Sequence, residues 1–149
     1  MEATIRDSAS GRKRYDQIEH TADLGIRVYG DSLKELFINA AYALFDTITD
    51  INSVKPSLAE TVEIVAGDRE ELLVNWLSEL NYLFFTEEMI FSKFDIEKLG
   101  DRYLKATARG EKLDPKRHEI FKEIKAVTYH ELKIEQKKGR WEAQVIFDI

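Results

Sequence analysis

The sequence predicts an α+β domain in which two largely buried helices pack between β layers, a sheet-helix-sheet sandwich. Two segments, about 33–48 and 69–87, are apolar around most of their circumference rather than along one stripe, so each is covered on more than one side. The C-terminal half reads mostly as strands. The chain has 149 residues, 44% of them hydrophobic and none of them Cys, enough for one core without disulfides or structural metal. Helices of that kind in a small α+β chain are most economically buried between two sheets.

Residues 1–14 are small, polar and charged, end in Gly11-Arg12-Lys13-Arg14, and read as a flexible tail, which leaves 15–149 as one domain. A short apolar run, Tyr15 to Ile18, precedes His20-Thr21-Ala22-Asp23. Leu24, Ile26 and Val28 then alternate with Gly25, Arg27 and Tyr29, the period of a half-buried strand. Gly30-Asp31 ends it. Ser32 with Glu35 reads as a capping box opening the first helix, with Glu35 reaching back to Ser32. Thr61 to Ala66 is a further strand, and Asp68 with Glu71 repeats the cap before the second helix, Arg69 to Glu87. Strands follow at Ile90 to Lys98, Tyr103 to Gly110, Ile124 to Gln136 and Trp141 to Ile149, with Lys137-Lys138-Gly139-Arg140 as a hairpin turn. Glu111 to Glu123, charged and loosely patterned, reads as a mobile loop.

The absence of Cys removes thiol nucleophiles, zinc ribbons and iron–sulfur clusters, so any metal must sit on oxygen or imidazole. A net charge of −6 has the wrong sign for strong autonomous nucleic-acid binding. No apolar run reaches the length of a membrane span, and the expected location is a reducing, cytoplasmic one. There is no Gly-rich phosphate loop and no Gly-x-Ser-x-Gly elbow. His118-Glu119 lacks the second His of a zinc-protease helix, having Lys122 there.

Two acids stand at strand ends: Asp23, three residues after His20, and Asp148, beside the terminal carboxylate of Ile149. Closely packed like charges share a proton or hold a cation, and all-oxygen donors suit Ca²⁺ or Mg²⁺. The plainer alternative is that Asp148 solubilises a chain end and Asp23 caps a turn. Glu79, inside the second helix, is either a buried carboxylate needing a partner or part of a wet stripe with Asn75 and Ser78. His130 reads as a half-exposed strand residue rather than a ligand, and Lys125 with Glu119 and Glu123 either as a base and acid set or, more plainly, as solvated charge before a strand.

Taken in order, His20-Thr21-Ala22-Asp23-x-Gly25, Trp76-Leu77-Ser78-Glu79-Leu80, Lys125-Ala126-Val127-Thr128-Tyr129-His130 and Val145-Ile146-Phe147-Asp148-Ile149 resemble the archease family over residues 15–149. The resemblance implies a metal-binding accessory protein, not an enzyme, that promotes guanylylation and multiple turnover of an RtcB-type RNA ligase in tRNA splicing and RNA repair. It also implies an archease-like fold that brings Asp23 and the C-terminus together. Asp23, Asp148 and Ile149 then fall on the family's metal site, Lys125 on a required lysine, Glu79 on its helix acid, and His118 on a further match. His20 is a supporting residue beside Asp23. A metal-dependent hydrolase using Asp23, Asp148 and Lys125, or a modulator of a tRNA methyltransferase, are the alternatives.

Overall fold

The structure is a computed structural model that describes residues 4–7, 13–19 and 23–149. Its elements run β1 (Thr4–Asp7), β2 (Lys13–Glu19), β3 (Asp23–Gly30), α1 (Leu33–Ile48), a 3₁₀ turn (Ile51–Ser53), β4 (Leu58–Val65), α2 (Arg69–Glu87), β5 (Met89–Leu99), β6 (Tyr103–Lys112), β7 (Ala126–Lys137) and β8 (Arg140–Asp148). They form a five-stranded sheet, β1-β2-β3-β8-β7, and a three-stranded sheet, β4-β6-β5, both antiparallel. Helix α1 packs on β3 and on β5, and α2 on β7 and on β4, so the helices form the middle layer as their all-round apolar character requires.

The core is built where the layers meet. Leu24, Ile26 and Val28 of β3 face the helices opposite Phe147, Val145 and Ala143 of β8, all buried. On the other side Phe45 of α1 meets Phe91 edge-on at 5.5 Å and stacks on Phe94 at 6.1 Å, while Trp76 of α2 meets Phe94 edge-on. The buried indole N–H of Trp76 donates to the Phe37 carbonyl at 3.0 Å, which ties the two helices together without an orphan donor. Gly110 marks where β6 and β5 close: a Cβ there would stand 1.8 Å from the Ile90 carbonyl oxygen.

Three expectations need correcting. Within the segment read as a tail, Thr4–Asp7 forms β1 against β2, and Lys13 and Arg14 belong to β2; Arg14 lies 4.0 Å over the Tyr42 ring. Backbone pairing needs no apolar period, which is why the pattern missed this strand. Ser32 and Asp68 do cap their helices, accepting from the Glu35 and Glu71 amides at 3.0 and 2.8 Å. The reciprocal bonds, however, go one residue further back, from Asp31 N–H to Glu35 and from Gly67 N–H to Glu71. The segment between β6 and β7 is anchored. Leu113 N–H donates to the Glu88 carbonyl, Thr49 Oγ1 to the Glu119 carbonyl, Phe121 N–H to the Ile48 carbonyl, and Asn81 Nδ2 to the Ile124 carbonyl.

A buried carboxylate is the hub of that loop. Glu111 accepts from Lys55 N–H at 2.7 Å, pairs with Arg117 and meets His118 Nε2 at 3.0 Å. His118 Nδ1 accepts from Asp114 N–H, so the ring proton sits on Nε2 and points at Glu111. Burial would push the Glu111 carboxyl up, but these donors and the Arg117 charge outweigh it and hold it down at about 2.

Candidate functional site at the ends of the central strands

Strands β3 and β8 pair over their whole length in one register, from Gly30 opposite Trp141 to Asp23 opposite Asp148. Residues directly opposite in an antiparallel pair put their side chains on the same face, with Cβ atoms about 5 Å apart. Leu24 and Phe147, one step in, face the helices. Asp23 and Asp148 therefore share the opposite face, at the end of the two central strands. Asp148 is exposed, whereas Asp23 is half-buried and its Oδ1 is buried with no hydrogen-bond partner among the described residues.

The third strand joins them at the same point. Ala126 of β7 lies opposite Asp148, and Lys125 N–H donates to the Asp148 carbonyl at 2.7 Å. Lys125 is exposed and has no ion-pair partner among the described residues. Asp23, Asp148 and Lys125 thus come together from three distant parts of the sequence. Ile149 directly follows Asp148 and is half-buried. His20 lies outside the described residues.

A buried carboxylate oxygen with no donor among the described residues, opposite a second acid, is a donor set suited to a hard divalent cation. Among the described residues no group of three or more His, Asp or Glu side chains could hold one.

The other sequence candidates sit elsewhere. Glu79 lies on the half-exposed stripe of α2 with Asn75 and Ser78, as the wet-stripe reading expects. It faces the groove beside Glu63, Ile64 and Val65 of β4. His130 is well exposed, in a four-residue bulge where Tyr129 to Leu132 stand opposite Val145 alone. Within it Glu131 adopts φ 54° and His130 N–H donates to Thr128 Oγ1. His118 is buried against Glu111 and serves the loop. Two features were missed. Glu111 looked like one more charge in a charged segment, and nothing in the sequence pattern singled out Asn81. Only the fold shows that both are buried.

The sequence and the fold both match known proteins. The sequence model of the archease protein family (MTH1598/TM1083) matches residues 15–149. The protein archease of Pyrococcus abyssi is 50% identical over 141 residues, covering 92% of this chain and 99% of the relative. That of Methanosarcina mazei is 45% identical, covering 92% and 97%. The solution structure of protein 1598 of Methanobacterium thermoautotrophicum superposes with a TM-score of 0.79 at 40% identity, over 91% of this chain and 99% of that one. A Thermotoga maritima crystal structure, described as an archease and possible chaperone, gives 0.61 at 26% identity, over 89% and 94%. The resemblance first carried by four short blocks holds from β2 to the last residue, and the chain belongs to the archease family.

Proposed function

We propose that this chain is a metal-binding accessory protein that activates an RtcB-type RNA ligase, promoting its guanylylation and multiple turnover in tRNA splicing and RNA repair. The observation that carries the proposal is the paired Asp23 and Asp148 at an open strand end, with Lys125 beside them. A hydrolase needs its acids in a substrate-sized pocket with a positioned base. Asp148 and Lys125 instead face solvent, where another protein's active site could receive them.

Asp23, Asp148 and the Ile149 carboxylate would hold a Ca²⁺ or Mg²⁺ ion. When bound, that ion would offset the two acids and present positive charge to oxygen ligands outside the chain. Asp23 and Asp148 would orient that corner toward the ligase, and the Lys125 ammonium would meet a phosphate or a partner carboxylate. The chain carries −6, a balance that keeps it off the ligase's RNA substrate and steers it toward a basic protein surface. We place its work in the cytoplasm; no helix of the described residues is long and apolar enough to cross a membrane.

The test is guanylylation of the cognate ligase with labelled GTP, with and without this chain. Wild type should raise both the labelled fraction and the number of turnovers. Asp23→Ala and Lys125→Ala should lose that stimulation while keeping the wild-type melting temperature, and Asp148→Ala should weaken divalent-ion binding in calorimetry. Label incorporated into this chain, or phosphoesterase activity lost in Asp148→Ala, would overturn the proposal in favour of the hydrolase.

A further inference from the structure

The sandwich is open along one side. Strand β7 is the outer strand of the five-stranded sheet, β4 an outer strand of the three-stranded one, and both lie against α2. Between the α2 stripe and β7 runs a cleft of about 280 Å³ lined by Ser78, Asn81, Tyr82, Phe85 and the start of β7 from Lys125 to Val127. Two of its walls are aromatic and exposed: Tyr82 is 60% and Phe85 48% accessible.

Its floor holds an unsatisfied acceptor. Asn81 is 5% exposed, and its Nδ2 donates to the Ile124 carbonyl at 2.7 Å, which fixes the amide, since a carbonyl can only accept. The other end, Oδ1, is buried and has no partner among the described residues. Buried acceptors are nearly always paired, so this one marks a place where the described residues supply no donor. Beside it lies the open edge of β7, where alternate backbone groups point away from β8. That edge is short, because the bulge at Tyr129 to Leu132 breaks the ladder after Thr128. Charge frames the cleft at both ends. Lys125 stands at the β7 end. Across Tyr82, the adjoining groove holds Glu79, which has no ion-pair partner among the described residues.

We propose that this cleft takes an extended segment of the partner protein, added along the edge of β7 over Lys125 to Thr128, with an apolar side chain against Tyr82 and Phe85, a hydrogen-bond donor on Asn81 Oδ1 and a cation reaching Glu79. Strand addition explains the combination: backbone bonds along the edge give affinity, and the alternate side chains that turn into the cleft give specificity. The cleft also begins where Lys125 bonds Asp148, so a segment seated in it would hold the acid pair against the partner. This inference rests on the ligase-activator reading for the identity of that partner.

The experiment uses the full chain and its cognate ligase. Tyr82→Glu and Phe85→Glu change exposed side chains and should leave the melting temperature unaltered. Each should weaken ligase binding at least tenfold in calorimetry, and raise by the same factor the concentration needed for half-maximal guanylylation, with the maximum unchanged. Exchange of the outward-pointing amides between Ala126 and Thr128 should slow when ligase is added to wild type. Unchanged affinity in both variants, or unprotected edge amides in a complex that does form, would overturn the cleft inference and leave the activator reading standing. A wild-type chain that neither binds nor stimulates the ligase would bring down both. Self-association relieved by Phe85→Glu would assign the cleft to a second copy of this chain and overturn the proposal.

Discussion

Replacing Glu111 by Gln removes the charge at the hub of the β6–β7 connection while keeping its shape. Its side chain is 11% exposed, that of His118 is fully buried, and that of Arg117 is 39% exposed. Lowering the carboxyl from 4.5 to about 2 corresponds to about 3 kcal/mol, at about 1.4 kcal/mol per unit. Solvent screens the half-exposed Arg117, so we take about 2 kcal/mol as the effect at neutral pH. For a domain of this size that lowers the melting temperature by roughly 4–8 °C. The folded form binds its proton less readily than the unfolded one. The stabilisation is therefore complete above about 4.5 and is lost as the pH falls toward about 2. Urea unfolding at a series of pH values should show wild type losing stability across that window more steeply than Glu111→Gln. The two should differ at pH 7 and converge in acid. Parallel curves across the window, or no difference at pH 7, would refute the assignment of Glu111 as an ionised hub.

Three further perturbations test other parts of the structure. Burial, with the hydrogen bond to Asp16 and its charge, pushes the Tyr29 hydroxyl up to about 12, so the folded chain keeps a proton that the unfolded chain loses above about 10. Stability should fall as the pH rises from about 10 toward about 12, and Tyr29→Phe should flatten that fall in denaturant titrations. Gly110→Ala drives a Cβ into the Ile90 carbonyl and should yield little folded protein; Gly139→Ala, at φ 76° in the open β7–β8 turn, should fold with a loss of about 1 kcal/mol. Asp23→Asn removes one of two facing like charges, so in chelator its melting temperature should equal or exceed that of wild type. Adding Ca²⁺ should raise wild type more than the variant; an equal rise in both would remove Asp23 from the cation site.

Much of the fold was legible because its signals are local. The caps at Ser32 and Asp68 need only residues three apart, and α2 runs over Arg69–Glu87 as its apolar content and the end of its pattern indicate. The β7–β8 hairpin turns at Lys138 and Gly139, with φ values of 50° and 76°, the positive pair that a two-residue turn demands. What escaped was non-local. β1 is held by backbone pairing with β2, which leaves no side-chain period. The β6–β7 connection looked mobile because its order comes from bonds to Ile48, Thr49, Lys55, Asn81 and Glu88, residues far from it in sequence. The Tyr129 to Leu132 bulge sits inside a run that reads as uninterrupted strand.

The acid pair illustrates how a site can be half visible. That Asp23 begins one strand and Asp148 ends another can be seen in the sequence, since each adjoins an apolar run. Whether they meet depends on register, and a slip of one residue would put them on opposite faces. Here the core excludes the slip. Leu24, Ile26 and Val28 must face the helices together with Phe147, Val145 and Ala143, and only an alignment of the same parity buries all six. Of those alignments, the observed one carries the pairing to the first residue of β3 and the last of β8, which leaves the two acids opposed beyond the final buried pair. Hydrophobic packing thus sets two acids opposite each other at the end of the paired strands. The same packing sets β7 alongside β8 through Val127 opposite Phe147, which brings Lys125 to the acids and turns the free edge of the sheet toward Tyr82 and Phe85.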